Sequence, residues 1–320
     1  MNEWEDTGAA IAFGPVPSRR LGRSLGINNV PPKVCSYSCV YCQLGRTTKM
    51  GVERQLFYDP QMVSRSVEEK VAQAGAAGEQ VDYLSFVPDG EPTLDVNLGR
   101  EIDLLRPLGI TIAVISNSSL VWRADVRDDL RKADWVSLKI DSAREEIWRQ
   151  IDQPHAGLKW DLILEGMAEF AQAFEGKLTT ETMLIRGVND SAERVAEVAQ
   201  FVSRLRPSVA YLSIPTRPPA EEWVKAPAEE DLNRAYYIMS EGLDSVEYLI
   251  GYEGDAFAST GNVEEDLLSI TAVHPMRRDA VRIMLSKAKA DWSVVEGLVS
   301  NGSVVETEYE GCTYYVKRIR

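Results

Sequence analysis

The sequence predicts an α/β chain, a partial (β/α)6 barrel followed by a small C-terminal winged-helix domain. Three observations predict it. Between Leu21 and Ile214, short apolar runs alternate with amphipathic segments of about 10 to 15 residues, the mark of βαβ units around a parallel sheet. The alternation breaks at a proline-rich crossing, Pro215 to Asp231. Near the C-terminus, three short helical segments lead into SVVETEYEGCTYYVKR, which alternates at period two around Glu310-Gly311 and reads as a hairpin.

The elements follow in order. Residues 1 to about 12 read as a loose tail. FGPVPSRRLGRSLGINNVPPK is rich in Gly, Pro and Arg, with a first strand over Leu21 to Ile27. Strands are then expected at Asp82–Val87, Thr111–Ile115, Trp135–Ile140, Leu178–Ile185 and Val209–Ile214. Helices are expected at Gln61–Ala77, Leu98–Leu108, Ala124–Lys132, Ala143–Ile151, Asp161–Phe174 and Ala192–Leu205. With right-handed crossovers this gives a barrel or an open wound sheet, and six strands favour a partial barrel. A helix over Glu229–Glu241 and a strand over Val246–Ile250 extend it, so residues 1–254 form the first domain. GDAFASTGN, Gly254 to Asn262, is the linker to the second domain, 263–320, with helices at Glu264–Ile270, Arg277–Lys289 and Ser293–Val299. From residue 271 onward the charge is roughly +2 within a chain of net charge −14, an asymmetry that marks a separate module.

Composition narrows the class. Hydrophobic residues make up 44% and charged residues 26% of the 320, an ordinary soluble balance. No apolar run reaches the ~20 residues of a membrane span, and the acidic start MNEWEDTGAA lacks a signal-peptide pattern. A cytoplasmic protein without a membrane partner is the expectation. The acidic field disfavours nucleic acid overall but leaves room for a local basic patch.

Four cysteines are present, and three stand within eight residues, at Cys35, Cys39 and Cys42 of VCSYSCVYCQ. Clustered thiols in a reducing compartment point to a metal, not to a disulfide framework. Thiolate softness suits iron–sulfur or zinc. Structural zinc closes with a fourth ligand at short spacing. Here only Cys312, in the expected hairpin, and the isolated His155 and His274 are left. Three thiolates can instead hold three corners of a cubane cluster and leave one metal position open for chemistry. A structural zinc site and a plain electron-transfer cluster stay open as alternatives. Cys312 reads as a small buried residue.

At Cys35-x3-Cys39-x-Tyr41-Cys42 the sequence resembles the radical S-adenosylmethionine (SAM) superfamily. The resemblance implies a radical SAM barrel whose [4Fe-4S] cluster is bound by Cys35, Cys39 and Cys42, with SAM as the missing ligand. One electron from the cluster then breaks a sulfur–carbon bond, giving methionine and a 5′-deoxyadenosyl radical that abstracts hydrogen from a substrate. It also implies an electron donor of the ferredoxin or flavodoxin type, because the cluster works at low potential. Ligands gather at the C-terminal ends of parallel strands. There, Asp89-Gly90-Glu91-Pro92 resembles the superfamily's GGE-type element, which meets the methionine amino group; Asp89 stands where Gly is commoner. Ser116-Asn117-Ser118 resembles a ribose-contacting turn. By the same resemblance Lys139 pairs with the SAM carboxylate beside Asp141, Arg186 of RGVND contacts adenine or carboxylate, and Tyr41 stacks near the adenine. Read singly, these are also a common turn, a loop cap and a surface ion pair.

The longer run GPVPSRRLGRSLGINNVPPKVCSYSCVYCQLGRTT, with DGEPTLD, RGVND and PTRPP, is similar to the branch grouped with wyosine-base synthases and described as iron–sulfur oxidoreductases. That likeness spans nearly the whole chain and brings a nucleobase in transfer RNA forward as substrate. A winged helix can dock nucleic acid, with Arg277, Arg278, Arg282, Lys317, Arg318 and Arg320 as phosphate contacts. It can equally take a peptide by strand addition. A third reading is a non-enzymatic, cluster-bearing DNA-binding regulator. Arg19, Arg20, Arg217 and Glu253 are candidates on the substrate side, or salt bridges closing the barrel.

Overall fold

The computed structural model describes residues 10–249, 262–273, 275–309 and 311–318. Its centre is an eight-stranded sheet. β1 (Ala12–Ser18) and β2 (Gly22–Ile27) pair antiparallel, with Arg19 and Arg20 in the turn between them. The two-residue strands β3 (Val34–Cys35) and β4 (Lys49–Met50) pair with each other and bracket the cysteine loop. After α1 (Pro60–Ala76) come β5 (Tyr83–Phe86), α2 (Leu98–Leu105), β6 (Thr111–Ser116), α3 (Ala124–Leu130) and β7 (Trp135–Lys139). Then follow α4 (Glu145–Asp152), α5 (Trp160–Ala173), β8 (Lys177–Met183), α6 (Ala192–Leu205), β9 (Val209–Ser213), α7 (Glu229–Ser240) and β10 (Val246–Leu249).

The strand order is β1-β2-β5-β6-β7-β8-β9-β10, and every pair from β2 onward is parallel. The sheet curls into a half-barrel, so the partial α/β barrel read from the sequence is the observed fold. The six expected strands are β2 and β5–β9, and β10 continues the same sheet as a seventh parallel strand. Strands covered on both faces are rich in apolar residues on both sides. WVSLK of β7 shows it: Trp135, Val136 and Leu138 are all buried, each stabilising the fold by about 1.5–3 kcal/mol. Helix starts are set locally. Asp59 caps α1 by accepting from Gln61 N (2.8 Å) and Met62 N (3.2 Å), with Pro60 at the first helical position.

The chain is ordered into β1 where a loose tail leading into a loop is expected. Pro15 and Pro17 disguise this strand. Proline lacks the N–H that a central strand needs, but β1 is an edge strand, where that loss is tolerated.

The C-terminal unit contains α8 (Val263–Val273), β11 (Met276–Arg277), α9 (Arg278–Lys287), α10 (Ser293–Ser300), β12 (Val304–Tyr309) and β13 (Cys312–Lys317). The three helices and the hairpin match expectation; β11 adds a third strand, in the order β11-β13-β12. Its core is shared with the barrel. Phe13 and Val16 of β1 pack with Leu267, Ile270, Met284 and Tyr315, and Val87 lies against the same cluster. Cys312 is half-buried rather than buried: it stands at the turn end of the hairpin, paired with Tyr309, with the Arg277 guanidinium beside it. Glu253, Arg320, His274, the turn residue Glu310 and the linker up to residue 261 lie outside the described residues. No helix among the described residues is long and apolar enough to cross a membrane.

Candidate active site

The cysteine loop is built from consecutive turns. Cys42 N donates to Cys39 O (3.0 Å) and Gly45 N to Cys42 O (3.1 Å). The loop is held on one side by α4, where Val40 N meets Ile151 O (2.9 Å). On the other side Gly51 N donates to Cys35 O (3.1 Å). This folding brings three free, half-buried thiols to the wall of one cavity of about 330 Å3, at the ends of the parallel strands. Burial, with the charge of Glu91 behind it, pushes the Cys35 thiol up to about 12. Such thiols ionise only against a positive centre. Among the described residues no three His, Cys, Asp or Glu side chains converge as ligands of a single ion. Three soft donors spread around a shared space fit a polynuclear iron–sulfur group better than one zinc ion.

The turn after β5 closes on this loop. Glu91 N donates to Val34 O (3.2 Å) and Lys33 N to Asp89 O (2.7 Å). A Cβ at Gly90 would lie 2.0 Å from Val34 O, so only glycine allows the two backbones to touch. Glu91 is buried, and its Oε1 accepts from Thr93 N (3.1 Å), Thr93 Oγ1 (2.6 Å) and Ser116 Oγ (2.8 Å). Its Oε2 accepts from Asn117 N (2.7 Å). Burial raises the Glu91 pKa, and these donors offset only part of the rise. Asn117 Nδ2 in turn donates to Ser36 Oγ (3.0 Å), tying the end of β6 to the cysteine loop. Asp89 is pushed up to about 8 by burial, with Lys317 and Lys33 acting the other way.

A second network lies opposite. Lys139 Nζ donates to Glu181 Oε1 (3.0 Å), lies 3.9 Å from Asp141 Oδ1, and stands 4.7 Å from the centre of the Tyr41 ring. Burial works against the Lys139 charge, but Asp141 and Glu181 outweigh it and hold the ammonium above its usual range. Burial likewise opposes the Glu181 charge, and Lys139 and Arg20 override it, holding this carboxyl below its usual range. Arg20 is ion-paired with Glu181. The Tyr41 hydroxyl donates to Asp141 Oδ2 (2.6 Å), and Asp152 Oδ1 lies 3.2 Å from both that hydroxyl and Cys39 Sγ.

The structure thus gathers most of the residues expected from sequence. Cys35, Cys39, Cys42, Tyr41, Gly90, Glu91, Ser116, Asn117, Lys139, Arg19, Arg20 and Arg217 all line the cavity. Asp141 stands behind Tyr41 and Lys139 rather than at the wall. Arg186 is absent from the lining; its side chain is exposed, and its N–H donates to Lys225 O (2.9 Å). Within the same RGVND turn it is Asn189 that faces inward, donating to Asp141 O (2.7 Å) and Met183 O (2.8 Å).

Glu181, Asp152 and Gln43 were not singled out by the sequence. Glu181 had a signal: an acid in the middle of the strand KLTTETM needs a buried partner. Asp152, at the end of α4, had none.

A family model described as the Radical SAM superfamily matches residues 29–202. The chain is 46% identical over 312 residues to UPF0026 protein MJ1312 of Methanocaldococcus jannaschii, covering 97% of each. Among solved structures it is similar to TYW1 with a lysine–pyruvate adduct bound, with TM-score 0.53 and 17% identity over 69% of this chain and 74% of that one. It is also similar to Streptococcus suis SuiB bound to S-adenosylmethionine, with TM-score 0.51 and 16% identity over 70% of this chain and 49% of that one. At those identities the two structures speak to the fold. By the family match, and with three thiols in one cavity at its strand ends, the chain belongs to the radical SAM superfamily, iron–sulfur enzymes that use a [4Fe-4S] cluster and S-adenosylmethionine.

Proposed function

We propose that Cys35, Cys39 and Cys42 hold the [4Fe-4S] cluster, that SAM binds in the adjoining cavity, and that the substrate is a nucleobase in RNA presented by the C-terminal unit. The observation that carries the site assignment is the meeting of three thiols with Gly90, Glu91, Ser116, Asn117 and Lys139 around one space. When bound, the cofactor pair supplies one-electron cleavage of a sulfur–carbon bond and a 5′-deoxyadenosyl radical that takes hydrogen from the substrate.

The chain's own residues bind and orient. Glu91 Oε1 already accepts three bonds, whereas Oε2 accepts one and keeps room for the methionine ammonium. Lys139 supplies a fixed positive charge for the carboxylate. Tyr41, held by Asp141, offers a ring face near the adenine. The TYW1 structure is named for a lysine–pyruvate adduct; Lys139 sits between two carboxylates and is suited to an ion anchor rather than to an amine nucleophile. A ferredoxin or flavodoxin is the proposed electron donor.

For the substrate, residues 263–320 are read as a winged helix. Arg278 and Arg282, both exposed, stand 5.6 and 5.8 Å from the centre of the half-buried Trp292 ring, a pairing suited to phosphates and stacked bases. The peptide reading rests on a different observation: β12 is an edge strand with exposed Val305, open to strand addition. The regulator reading gives way to the enzyme family.

The test is anaerobic reconstitution with iron and sulfide, reduction, addition of SAM and assay for 5′-deoxyadenosine. Wild type should form it and Cys39→Ala should not. A chain that binds one zinc and leaves SAM intact would overturn the site assignment.

A further inference from the structure

We infer that the C-terminal hairpin is a positioning element of the cavity, holding the cysteine loop through the proline-rich segment between β9 and α7. The segment starts at the end of β9, and its Pro215, Thr216 and Arg217 line the cavity. It then crosses the cysteine loop. Arg217 Nη1 donates to Gln43 Oε1 (2.6 Å), next to Cys42. Glu221 N donates to Val40 O (3.0 Å), and Arg46 Nε to Glu221 Oε1 (2.8 Å). Val224 is buried with Val40, Ile147 and Ile185. The segment is therefore a strap across the loop that carries all three thiols.

The strap is pinned from its other side by the hairpin. The hydroxyl of Tyr309, the last residue of β12, donates to Pro215 O (3.3 Å). That of Tyr314, in β13, donates to Thr216 O (3.1 Å). The strap's backbone has no strand or helix between β9 and α7 to satisfy these carbonyls. The alternation of β13 explains the division of labour. Tyr314 faces the barrel, while its neighbour Tyr315 points the other way and packs edge-on against Trp292, 5.8 Å between ring centres. The hairpin also meets the barrel where the cavity begins. Val87, a lining residue, packs against the C-terminal core, and the Lys317 charge reaches Asp89. A chain of contacts thus runs from Tyr309 and Tyr314 through Pro215–Arg217 to Gln43 and Cys42. This goes beyond the substrate reading and does not depend on it.

The variant Tyr309→Phe/Tyr314→Phe keeps both rings and removes only the hydroxyls. Hydrogen exchange is read on the full-length apoprotein, so no cofactor chemistry is involved. Amides of the strap and of residues 40–46 should exchange faster by roughly fivefold or more, with α9 and α10 unchanged. After reconstitution, the cluster absorbance should decay about threefold faster under a chelator than in wild type. Tyr248→Phe, whose hydroxyl meets Asn233 elsewhere, is the matched control and should move neither readout. If the double variant also loosens α9 and α10, the two single variants are measured instead, and each must show the faster strap. Unchanged exchange in the strap and loop overturns the inference, as does a strap that loosens while cluster loss stays at the wild-type rate.

Discussion

Lys139 and Glu181 are register partners on adjacent parallel strands, and their side chains meet at 3.0 Å on the cavity side of the sheet. Arg20, from the β1–β2 turn, pairs with the same carboxylate, so one acid joins two cations from separate elements. Replacing Glu181 by Gln leaves both cations short of a counter-charge in a partly buried site. Breaking such a pair costs about 3 kcal/mol. Urea unfolding of Glu181→Gln should show that loss, with a matching fall in apparent SAM affinity as Lys139 is released. A variant within 1 kcal/mol of wild type would mean that solvent already screens this network.

Gly90 meets the cysteine loop with no room for a methyl group. In Gly90→Ala the new Cβ lies 2.0 Å from Val34 O, and backbone cannot yield as a side chain can. Overpacking of this kind costs about 1–3 kcal/mol. The expected result is a lower melting temperature and a reconstituted protein holding less than half the wild-type iron. Full iron content at wild-type stability would show that the turn after β5 shifts freely, contrary to its bonds with Val34 and Lys33.

Much of this arrangement was legible in the sequence. The apolar runs and amphipathic segments located every parallel strand of the eight-stranded sheet, though not the two-residue pair β3 and β4, because βαβ units repeat a strong local pattern. The cysteine spacing located the loop. What escaped notice depends on tertiary pairing. β1 hides behind two prolines that only an edge position permits. Glu181 becomes meaningful only once register puts it beside Lys139. Arg186 was expected at the cavity because it follows β8, but the turn there directs Asn189 inward and leaves the arginine exposed. The hairpin's tie to Pro215 and Thr216 links residues almost a hundred positions apart, with no local trace.

Beneath the Glu91 turn lies a pair of buried acids, Asp95 and Glu101. Burial pushes Asp95 up to about 7 from an ordinary 3.8, and raises Glu101, with Asp95 beside it adding to the rise. Asp95 Oδ2 and both Glu101 carboxylate oxygens lack a defined donor, which a shared proton would supply. Arg54 and Asp129 are the charges that face the pair, and the Asn29 amide lies beside Glu101. Between about pH 4 and 7 the folded state binds more protons here than the unfolded chain. The stability contributed by protonation is therefore full below about pH 4 and is lost as the pH rises through about 7. Denaturation from pH 8 down to 5.5 should show wild type gaining stability, and Asp95→Asn should flatten that rise. An equal slope in both proteins would remove the pair from the pH response.

Arg278 and Arg282 provide the decisive test of the substrate class. Both guanidiniums lie near the Trp292 ring, on a chain whose overall charge of −14 repels polyanions. Binding of an RNA can therefore arise only where such residues concentrate positive charge. Each phosphate neutralised releases counterions, so affinity falls with salt by about 0.9 logarithmic units per contact for a duplex and about 0.7 for a single strand. Arg278→Gln/Arg282→Gln should weaken binding of a transfer RNA pool and reduce the magnitude of that salt slope by between about 1 and 2. Neither residue lines the cysteine-loop cavity, so 5′-deoxyadenosine formation without substrate should stay at the wild-type rate. A salt-independent interaction that survives both substitutions would move the assignment to a peptide added along β12, and Glu308→Pro, which removes an N–H on the open side of that strand, would then be the variant that abolishes it.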